Sequence, residues 1–212
     1  MPVQHLPILW SFRRCPYAMR ARLAIHASGQ QVNLREIVLR DKPAAFLAAS
    51  AKGTVPVLQL EHAVIAESRD IMIWALQQSD PEGWLDMSTA GFDLITTCEG
   101  PFKRALDHTK YAVRYPDLDP DAEREKALHF LHELNTRLTA APFLMGQHRT
   151  LADMAILPFV RQFAQIDRAW FNAQGLKALT GWLDDFLASD RFAAVMMKYP
   201  PWQDGQDQVM FP

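Results

Sequence analysis

The sequence predicts an α/β domain followed by an all-helical domain, and two observations lead to this fold class. In the first part of the chain, short apolar runs alternate with helical patterns in the order β-α-β-(α)-β-β-α. Strand, helix and strand follow within about forty residues, which indicates a βαβ unit with parallel strands. Beyond Asp80-Pro81-Glu82-Gly83 the apolar positions follow helical spacing and no segment indicates a strand. We therefore expect an α/β domain at 1–79, a linker at 80–87 and an all-helical domain at 88–212.

The elements of the N-terminal domain follow from local signals in the order of the chain. The apolar run Leu6–Trp10 predicts a buried strand, and the helical pattern after it begins with Pro16 and stops at Gly29. The alternating run 32–39 predicts the second strand. The remaining segments are a short helix over 44–49, a hairpin of two strands over 57–60 and 63–66, and a longer helix over 68–78.

The C-terminal part of the chain contains only helical patterns. A first helix over 90–111 includes Gly100-Pro101, which predicts a kink or a break. Thr150-Leu151-Ala152-Asp153 resembles a capping box with Asp in place of Glu, and it precedes an apolar helix over 154–166. Further helices are predicted over 121–141, 176–188 and 191–197. We expect the methionine and aromatic residues of these helices to form a core rather than to hold a cofactor.

The composition argues against several classes of function. The 212 residues carry a formal net charge of −2, which provides no general attraction to nucleic acid or to an anionic membrane. No apolar run approaches the roughly 18–20 residues needed to span a bilayer, and no basic and apolar leader precedes the first strand. Two cysteines do not make a disulfide framework, and the histidines show no convincing metal-ligand spacing. We therefore expect a cytoplasmic protein without a metal.

Cys15 is the strongest candidate for a chemical role. It lies between the predicted first strand and the helix that begins at Pro16, with Arg13 and Arg14 beside it. Unpaired N–H groups, the helix dipole and positive charge favour a thiolate at a helix N-terminus, where cysteine pKa values fall from about 8.5 to about 3.5–7.5. Most cysteines are instead buried and inert, which is our expectation for Cys98. Cys15 is therefore the predicted nucleophile.

Four short motifs occur in a recognisable order. They are Cys15-Pro16-Tyr17-Ala18, Lys42-Pro43, Thr54-Val55-Pro56-Val57-Leu58 and Glu67-Ser68. Together with the helical half behind them, they resemble the cytosolic glutathione S-transferase superfamily, and most of all its cysteine-type branch, the omega-like bacterial transferases. The resemblance implies a thioredoxin-like βαβ-ββα domain that binds glutathione and an all-helical C-terminal domain that contributes the acceptor-substrate site in a cleft between the domains.

The resemblance also implies a role for each motif. Val55, before a cis-Pro56, pairs its backbone with the cysteinyl main chain of glutathione, whereas Glu67 and Ser68 bind the γ-glutamyl end and Lys42 reaches the glycyl carboxylate. The residues alone leave simpler alternatives open: Pro56 as a strand-edge proline, and Ser68 as an N-cap that leaves Glu67 without a role.

The chemistry implied by a cysteine at this position is thiol transfer. Cys15 can form a mixed disulfide with glutathione, which a second glutathione resolves. Ala18 stands where dithiol relatives have a second cysteine, so a monothiol mechanism follows, with weak conjugation to electrophiles as a side activity. Ser11 and Tyr17 are rival neighbours of the thiol. The alternatives are a non-catalytic glutathione-binding or regulatory protein of the transferase fold and a glutaredoxin-2-like oxidoreductase.

The same resemblance implies the partners. Glutathione serves as co-substrate beside a small electrophile or disulfide, and the chain forms a homodimer. A role in detoxification fits this substrate class. No nucleic acid, membrane or metal partner is expected.

Overall fold

A five-stranded mixed sheet forms the centre of the N-terminal part of the chain. In the computed structural model, which describes residues 6–212, the strands run in the order β4-β3-β1-β2-β5. Strands β1 and β2 are parallel, with Ile8 opposite Asn33, and β3 lies antiparallel on the other side of β1. The predicted βαβ unit is thereby confirmed. The strands are β1 (Ile8–Ser11), β2 (Val32–Glu36), β3 (Val57–Gln59), β4 (Val64–Ile65) and β5 (Met210–Phe211).

Three helices accompany these strands, at the places that the local signals indicate. They are α1 (Pro16–Ser28), α2 (Ala44–Ala49) and α3 (Ser68–Gln78). Helix α1 ends at Gly29, whose φ of 70° is the left-handed conformation that glycine adopts without a steric penalty. The first strand begins two residues later than the predicted run Leu6–Trp10, and the second ends at Glu36 rather than at position 39.

The chain divides into two compact units, and the boundary differs from the expected one at the C-terminus. The first unit contains the residues up to Glu82 together with Ser189–Pro212, and the second contains Gly83–Ala188. The expected helical domain at 88–212 therefore loses its last segment to the first unit. The statement that no strand follows the linker is also wrong, because β5 pairs antiparallel with β2.

The physical reason for this correction is the bonding that the C-terminal segment makes with the sheet. The Trp202 N–H donates to the Glu36 carbonyl at 2.7 Å, and the Leu34 N–H donates to the Val209 carbonyl at 2.8 Å. The Trp202 ring packs edge-on against Trp10, with 5.1 Å between centroids. Helix α10 (Asp190–Val195) packs against α1 in the same unit.

The core of the first unit lies on both faces of β1. On one face, α1 and α3 pack against each other, and the α1 side chains Ala18, Met19, Leu23 and Ile25 are fully buried. A second apolar cluster is formed by Trp10, Ile37, Phe46, Val55 and Val57, with Cys15 packed against it. The segment before Pro56 and the segment around Cys15 therefore share one packed layer.

The second unit is helical throughout. Its helices are α4 (Thr89–Thr97), α5 (Lys103–Lys110), α6 (Pro120–Ala140), α7 (Leu151–Ala164), α8 (Arg168–Ala173) and α9 (Lys177–Leu187). The break predicted at Gly100-Pro101 is a π-helical turn over Cys98–Phe102, between α4 and α5. Helix α8, which the sequence analysis missed, begins where the Trp170 N–H donates to the Asp167 carboxylate at 2.9 Å.

The predicted capping box at the start of α7 is present. Asp153 accepts hydrogen bonds from the Thr150 N–H at 2.9 Å and from the Thr150 hydroxyl at 3.0 Å. The same carboxylate accepts from the Leu144 N–H and the Trp182 indole N–H, so it joins a loop and α9 to the start of α7. Burial raises the pKa of Asp153, and these hydrogen bonds oppose that shift.

Within residues 6–212 no helix has the length and apolar character needed to cross a membrane.

Candidate functional site

Cys15 occupies the N-cap position of α1. Its backbone is extended (φ −76°, ψ 124°), and its carbonyl accepts the first helical hydrogen bond, from the Met19 N–H at 2.9 Å. Pro16 follows as the first helical residue, as predicted. The thiol is partly buried, and its Sγ lies 3.7 Å from the Val55 carbonyl oxygen, to which it donates. The local sequence therefore places the thiol at a helix N-terminus and next to the segment that precedes Pro56.

A buried ion pair holds the loop that carries Cys15. The Arg13 N–H donates to Glu36 Oε1 at 2.5 Å, and the Arg13 carbonyl accepts from Arg22 Nη2 at 2.9 Å. Arg22 Nη1 and Glu36 Oε2 lie 3.8 Å apart, with the Arg22 side chain fully buried and the Glu36 side chain 10% exposed. Both backbone polar groups of Arg13 are thus bonded to the same pair, two residues before the thiol.

The protonation of this pair follows from its burial. Burial lowers the pKa of Arg22 to about 10, against the attraction of Glu36, so its guanidinium remains charged at neutral pH. Burial raises the pKa of the Glu36 carboxyl, opposed by the Arg13 N–H and by the charge of Arg22. Electrostatic interaction also links Arg22 with Cys15, where a thiolate favours the charged guanidinium. By reciprocity, the guanidinium favours the thiolate.

One open pocket of about 500 Å³ brings the predicted site residues together. Its walls come from the head of α1, the loops on either side of α2, the segment before β3 and the start of α3. The predicted residues that line it are Cys15, Lys42, Val55, Pro56, Glu67 and Ser68. The Val55–Pro56 peptide bond is cis, as the resemblance implies. The individual binding roles of these residues stay predictions.

Glu67 has a partner that the sequence analysis missed. Lys52 Nζ lies 2.6 Å from Glu67 Oε1, and both side chains are more than half exposed. The hydrogen bond that Lys52 donates to the Glu67 carboxylate raises the pKa of Lys52. Lys52 stands 15 residues from Glu67 and no local pattern joins the two. In this structure the Glu67 carboxylate thus accepts from a lysine ammonium that also lines the pocket.

Ser68 has a second missed partner, Arg20 of α1. Arg20 Nε and Nη2 both donate to Ser68 Oγ, at 3.0 and 2.8 Å, and both residues are 3% exposed. The N-cap of α3 is Glu67, and Ser68 is the first helical residue. The simpler alternative, in which Ser68 is only an N-cap, is therefore wrong.

Ser11 and Tyr17, the rival candidates for a role beside the thiol, lie in different places. Tyr17 lines the pocket, and its ring packs under the Arg20 guanidinium, 5.2 Å from the centroid. Ser11 is fully buried in β1 and does not line the pocket. Cys98 is fully buried in the second unit, in agreement with the structural role expected of it.

The fold and the site together define a class. A mixed sheet with β1 between a parallel and an antiparallel neighbour, a cis-proline before β3 and a cysteine at the head of α1 are the features of a thioredoxin-like domain followed by a helical region. Residues 9–83 match the family model of the glutathione S-transferase N-terminal domain. This part of the chain is therefore a glutathione S-transferase N-terminal domain, and the plant relatives and the shared fold support the cytosolic glutathione S-transferase superfamily for the chain.

Plant proteins are among the curated relatives of this chain. The chain is 27% identical over 152 residues to a probable chloroplastic glutathione S-transferase DHAR2 of Oryza sativa subsp. japonica, a match that covers 68% of this chain and 50% of the rice protein. It is 27% identical over 147 residues to glutathione S-transferase DHAR2 of Arabidopsis thaliana, covering 68% of this chain and 64% of the relative. The match thus spans half to just under two thirds of these proteins.

Solved structures share the fold over nearly the whole chain. A glutathione transferase family member from Pseudomonas fluorescens Pf-5, crystallised with two glutathione bound, superposes with a TM-score of 0.77 at 17% identity, covering 92% of this chain and 95% of that one. Poplar glutathione transferase F1 superposes with a TM-score of 0.75 at 15% identity, covering 90% of this chain and 96% of its own.

Proposed function

We propose that this chain is an omega-like, glutathione-dependent thiol transferase or reductase that uses Cys15 to form a mixed disulfide with glutathione. One observation carries the proposal. The Cys15 thiol shares a single pocket with the cis-Pro56 segment and with side chains that complement the charges of glutathione. Charge complementarity without the thiol would support binding alone, and a thiol without that complementarity would support no particular substrate.

Each group of glutathione has a chemically matched partner in the pocket. The α-carboxylate of the γ-glutamyl end suits the Ser68 hydroxyl and the N-terminus of α3, an 11-residue helix whose first turn favours an anion. The α-ammonium suits Glu67, and the glycyl carboxylate suits the exposed Lys42. The backbone of Val55 pairs with the cysteinyl main chain. This arrangement directs the glutathione sulfur toward Cys15.

The proposed reaction is a pair of thiol–disulfide exchanges. The Cys15 thiolate attacks the glutathione sulfur of a mixed disulfide, a Cys15–glutathione disulfide forms, and the substrate leaves as a thiolate that takes up a proton. A second glutathione thiolate then attacks the bound glutathione sulfur, which forms oxidised glutathione and releases the Cys15 thiolate. The substrate disulfide is reduced and two glutathione units are joined. The buried guanidinium of Arg22 favours the thiolate that both steps require.

The absence of a thiol at position 18 determines how the adduct is resolved. Ala18 lies one helical turn after Cys15 and is fully buried in α1. No second cysteine therefore follows Cys15 at the spacing that allows an intramolecular disulfide. Resolution by a second glutathione, rather than by the protein, follows from this.

The partners belong to the same proposal. Glutathione is the co-substrate, and the second substrate is a small disulfide or an electrophile that is conjugated weakly, as in detoxification. We also propose that the chain forms a homodimer and is located in the cytoplasm. No metal takes part in either exchange step.

The test is turnover of a glutathione mixed disulfide in the presence of reduced glutathione. We expect activity in the wild type and in Cys98→Ser, and a loss of at least about 100-fold in Cys15→Ser, since a serine hydroxyl is not ionised at neutral pH. Cys98→Ser is the matched control, because it removes the only other thiol. Equal turnover by wild type and Cys15→Ser overturns the mechanism. Glutathione binding without turnover in any variant points to the non-catalytic alternative.

A further inference from the structure

The contact between Arg20 and Ser68 connects the interior of α1 with the wall of the pocket. Arg20 lies on α1, 48 residues before Ser68, and two of its guanidinium N–H groups converge on the one hydroxyl oxygen. The Ser68 residue also lines the pocket beside Glu67. A buried charged group is therefore bonded to a polar atom that a ligand in the pocket can reach.

The hydrogen-bonding capacity of a hydroxyl determines what this contact does. A serine hydroxyl has one donor hydrogen and two acceptor lone pairs. Arg20 fills both lone pairs, so the hydroxyl can act toward a ligand only as a donor. Within residues 6–212 the hydroxyl hydrogen of Ser68 has no protein acceptor. A buried donor without an acceptor costs free energy until a ligand supplies one.

We propose that Arg20 is a positioning residue, which fixes the Ser68 hydroxyl as a donor toward the pocket and so makes this end of the pocket selective for a carboxylate. The inference rests on the proposed function, because it assigns that carboxylate to the γ-glutamyl end of glutathione. Arg20 acts through Ser68 and does not itself contact the ligand. Its positive charge polarises the hydroxyl, and a polarised donor bonds an ionised acceptor more strongly than a neutral one.

A second buried arginine of α1 provides the matched comparison. Arg22 is also buried, but it bonds the Arg13 carbonyl and pairs with Glu36, whereas Arg20 bonds Ser68. Substitution of either arginine disturbs the packing of α1. Only substitution of Arg20 changes the direction in which the Ser68 hydroxyl donates.

The experiment measures, by calorimetry, the affinity for glutathione and for γ-aminobutyryl-cysteinyl-glycine, the analogue that lacks the α-carboxylate. The variants are Arg20→Gln, Arg20→Lys, Ser68→Ala and the double variant Arg20→Gln/Ser68→Ala, with Arg22→Lys as control. The wild type is expected to bind glutathione about tenfold more tightly than the analogue, the ratio that a charge-assisted hydrogen bond supplies.

Arg20→Gln is expected to reduce that ratio to about two, because the glutamine carbonyl can accept from the hydroxyl and turn it away from the ligand. Arg20→Lys should recover part of the ratio, since it restores a charged donor. In the Ser68→Ala background, Arg20→Gln should change the ratio no further. Arg22→Lys should keep the ratio of the wild type even if it unfolds more easily.

Three outcomes overturn the inference. Equal loss of affinity for both ligands in Arg20→Gln means that Arg20 has only a structural role. An unchanged ratio in Ser68→Ala means that the carboxylate binds elsewhere. Failure of the wild type to bind glutathione overturns the proposed function as well, and that result is distinguishable because no ratio exists for any variant.

Discussion

The two ends of the pocket use the same kind of residue in different ways. At the thiol end, which comprises Cys15, Arg13 and the Arg22–Glu36 pair, a buried arginine is matched with a buried carboxylate and bonded to backbone. At the carboxylate end, which comprises Ser68 and Arg20, a buried arginine is bonded to a neutral hydroxyl that faces the pocket. The two arginines are two positions apart on one helix, which puts them about 200° apart around its axis.

The two arginines differ in how their charge can affect a bound ligand. Glu36 opposes the charge of Arg22, so the thiol end gains a loop bonded to this pair and a preference for thiolate. Arg20 instead bonds the neutral oxygen of Ser68, and in our inference its guanidinium acts on the pocket through that hydroxyl. Under the proposed function, buried arginines of one helix support the nucleophile at one end of the pocket and an anion-binding group at the other.

The largest effect on stability is expected from a substitution at the thiol end. Glu36→Ala leaves Arg22 charged and buried without its carboxylate and removes the acceptor of the Arg13 N–H. We expect a loss of about 3–5 kcal/mol in the free energy of unfolding, measured by urea denaturation. Ser68→Ala is the matched control at the carboxylate end, where loss of a neutral acceptor should cost about 1–3 kcal/mol. Equal costs would show that the two arginines are held in the same way.

The pH dependence of the free energy of unfolding is a smaller effect that is expected to distinguish the two ends. Burial raises the pKa of the Glu36 carboxyl above its ordinary 4.5, opposed by the Arg13 N–H and the charges of Arg22 and Arg13. The folded state therefore holds this proton more tightly than the unfolded chain does. The contribution of the Glu36 carboxyl to stability is fully present below the pKa that this group has in the unfolded chain. It is lost as the pH rises through the pKa that the group has in the folded protein.

The measurement compares the wild type with Glu36→Gln by urea denaturation between about pH 4 and about pH 8. We expect the free energy of unfolding of the wild type, relative to Glu36→Gln, to fall as the pH rises through this window. The corresponding difference for Ser68→Ala should not change with pH, because neither serine nor alanine titrates. A flat difference for Glu36→Gln contradicts the assignment of this carboxyl as a buried, titrating group.

The smallest effect is expected at the rim, where Lys52 meets Glu67. Both side chains are mostly exposed, so water and salt screen the pair. Lys52→Ala should leave the denaturation midpoint unchanged within error. In the same variant Glu67 becomes available to the ligand ammonium, so glutathione should bind as tightly as in the wild type or slightly more tightly. Weaker binding would instead make Lys52 a direct contact of glutathione.

Several features of the site were predictable because their signals are local. Pro16 and Gly29 mark both ends of α1, so the position of Cys15 before that helix could be derived from adjacent residues. The bounds of α2 and α3 were predicted as the structure has them. The order of the four motifs led to the pocket residues Lys42, Val55, Pro56, Glu67 and Ser68, and all of them line one pocket.

The sequence by itself determined the βαβ start, the thiol at the head of α1 and the resemblance to the glutathione S-transferases, because helix ends, turns and motif order depend on neighbouring residues. Only the tertiary structure decided that Met210–Phe211 extends the first sheet and that Arg20, Arg22 and Lys52 bond to Ser68, Glu36 and Glu67. These pairs join separate elements, and a two-residue strand carries no periodicity of its own. Such contacts arise when packing brings distant segments together, and no pattern along the chain encodes which side chains then meet.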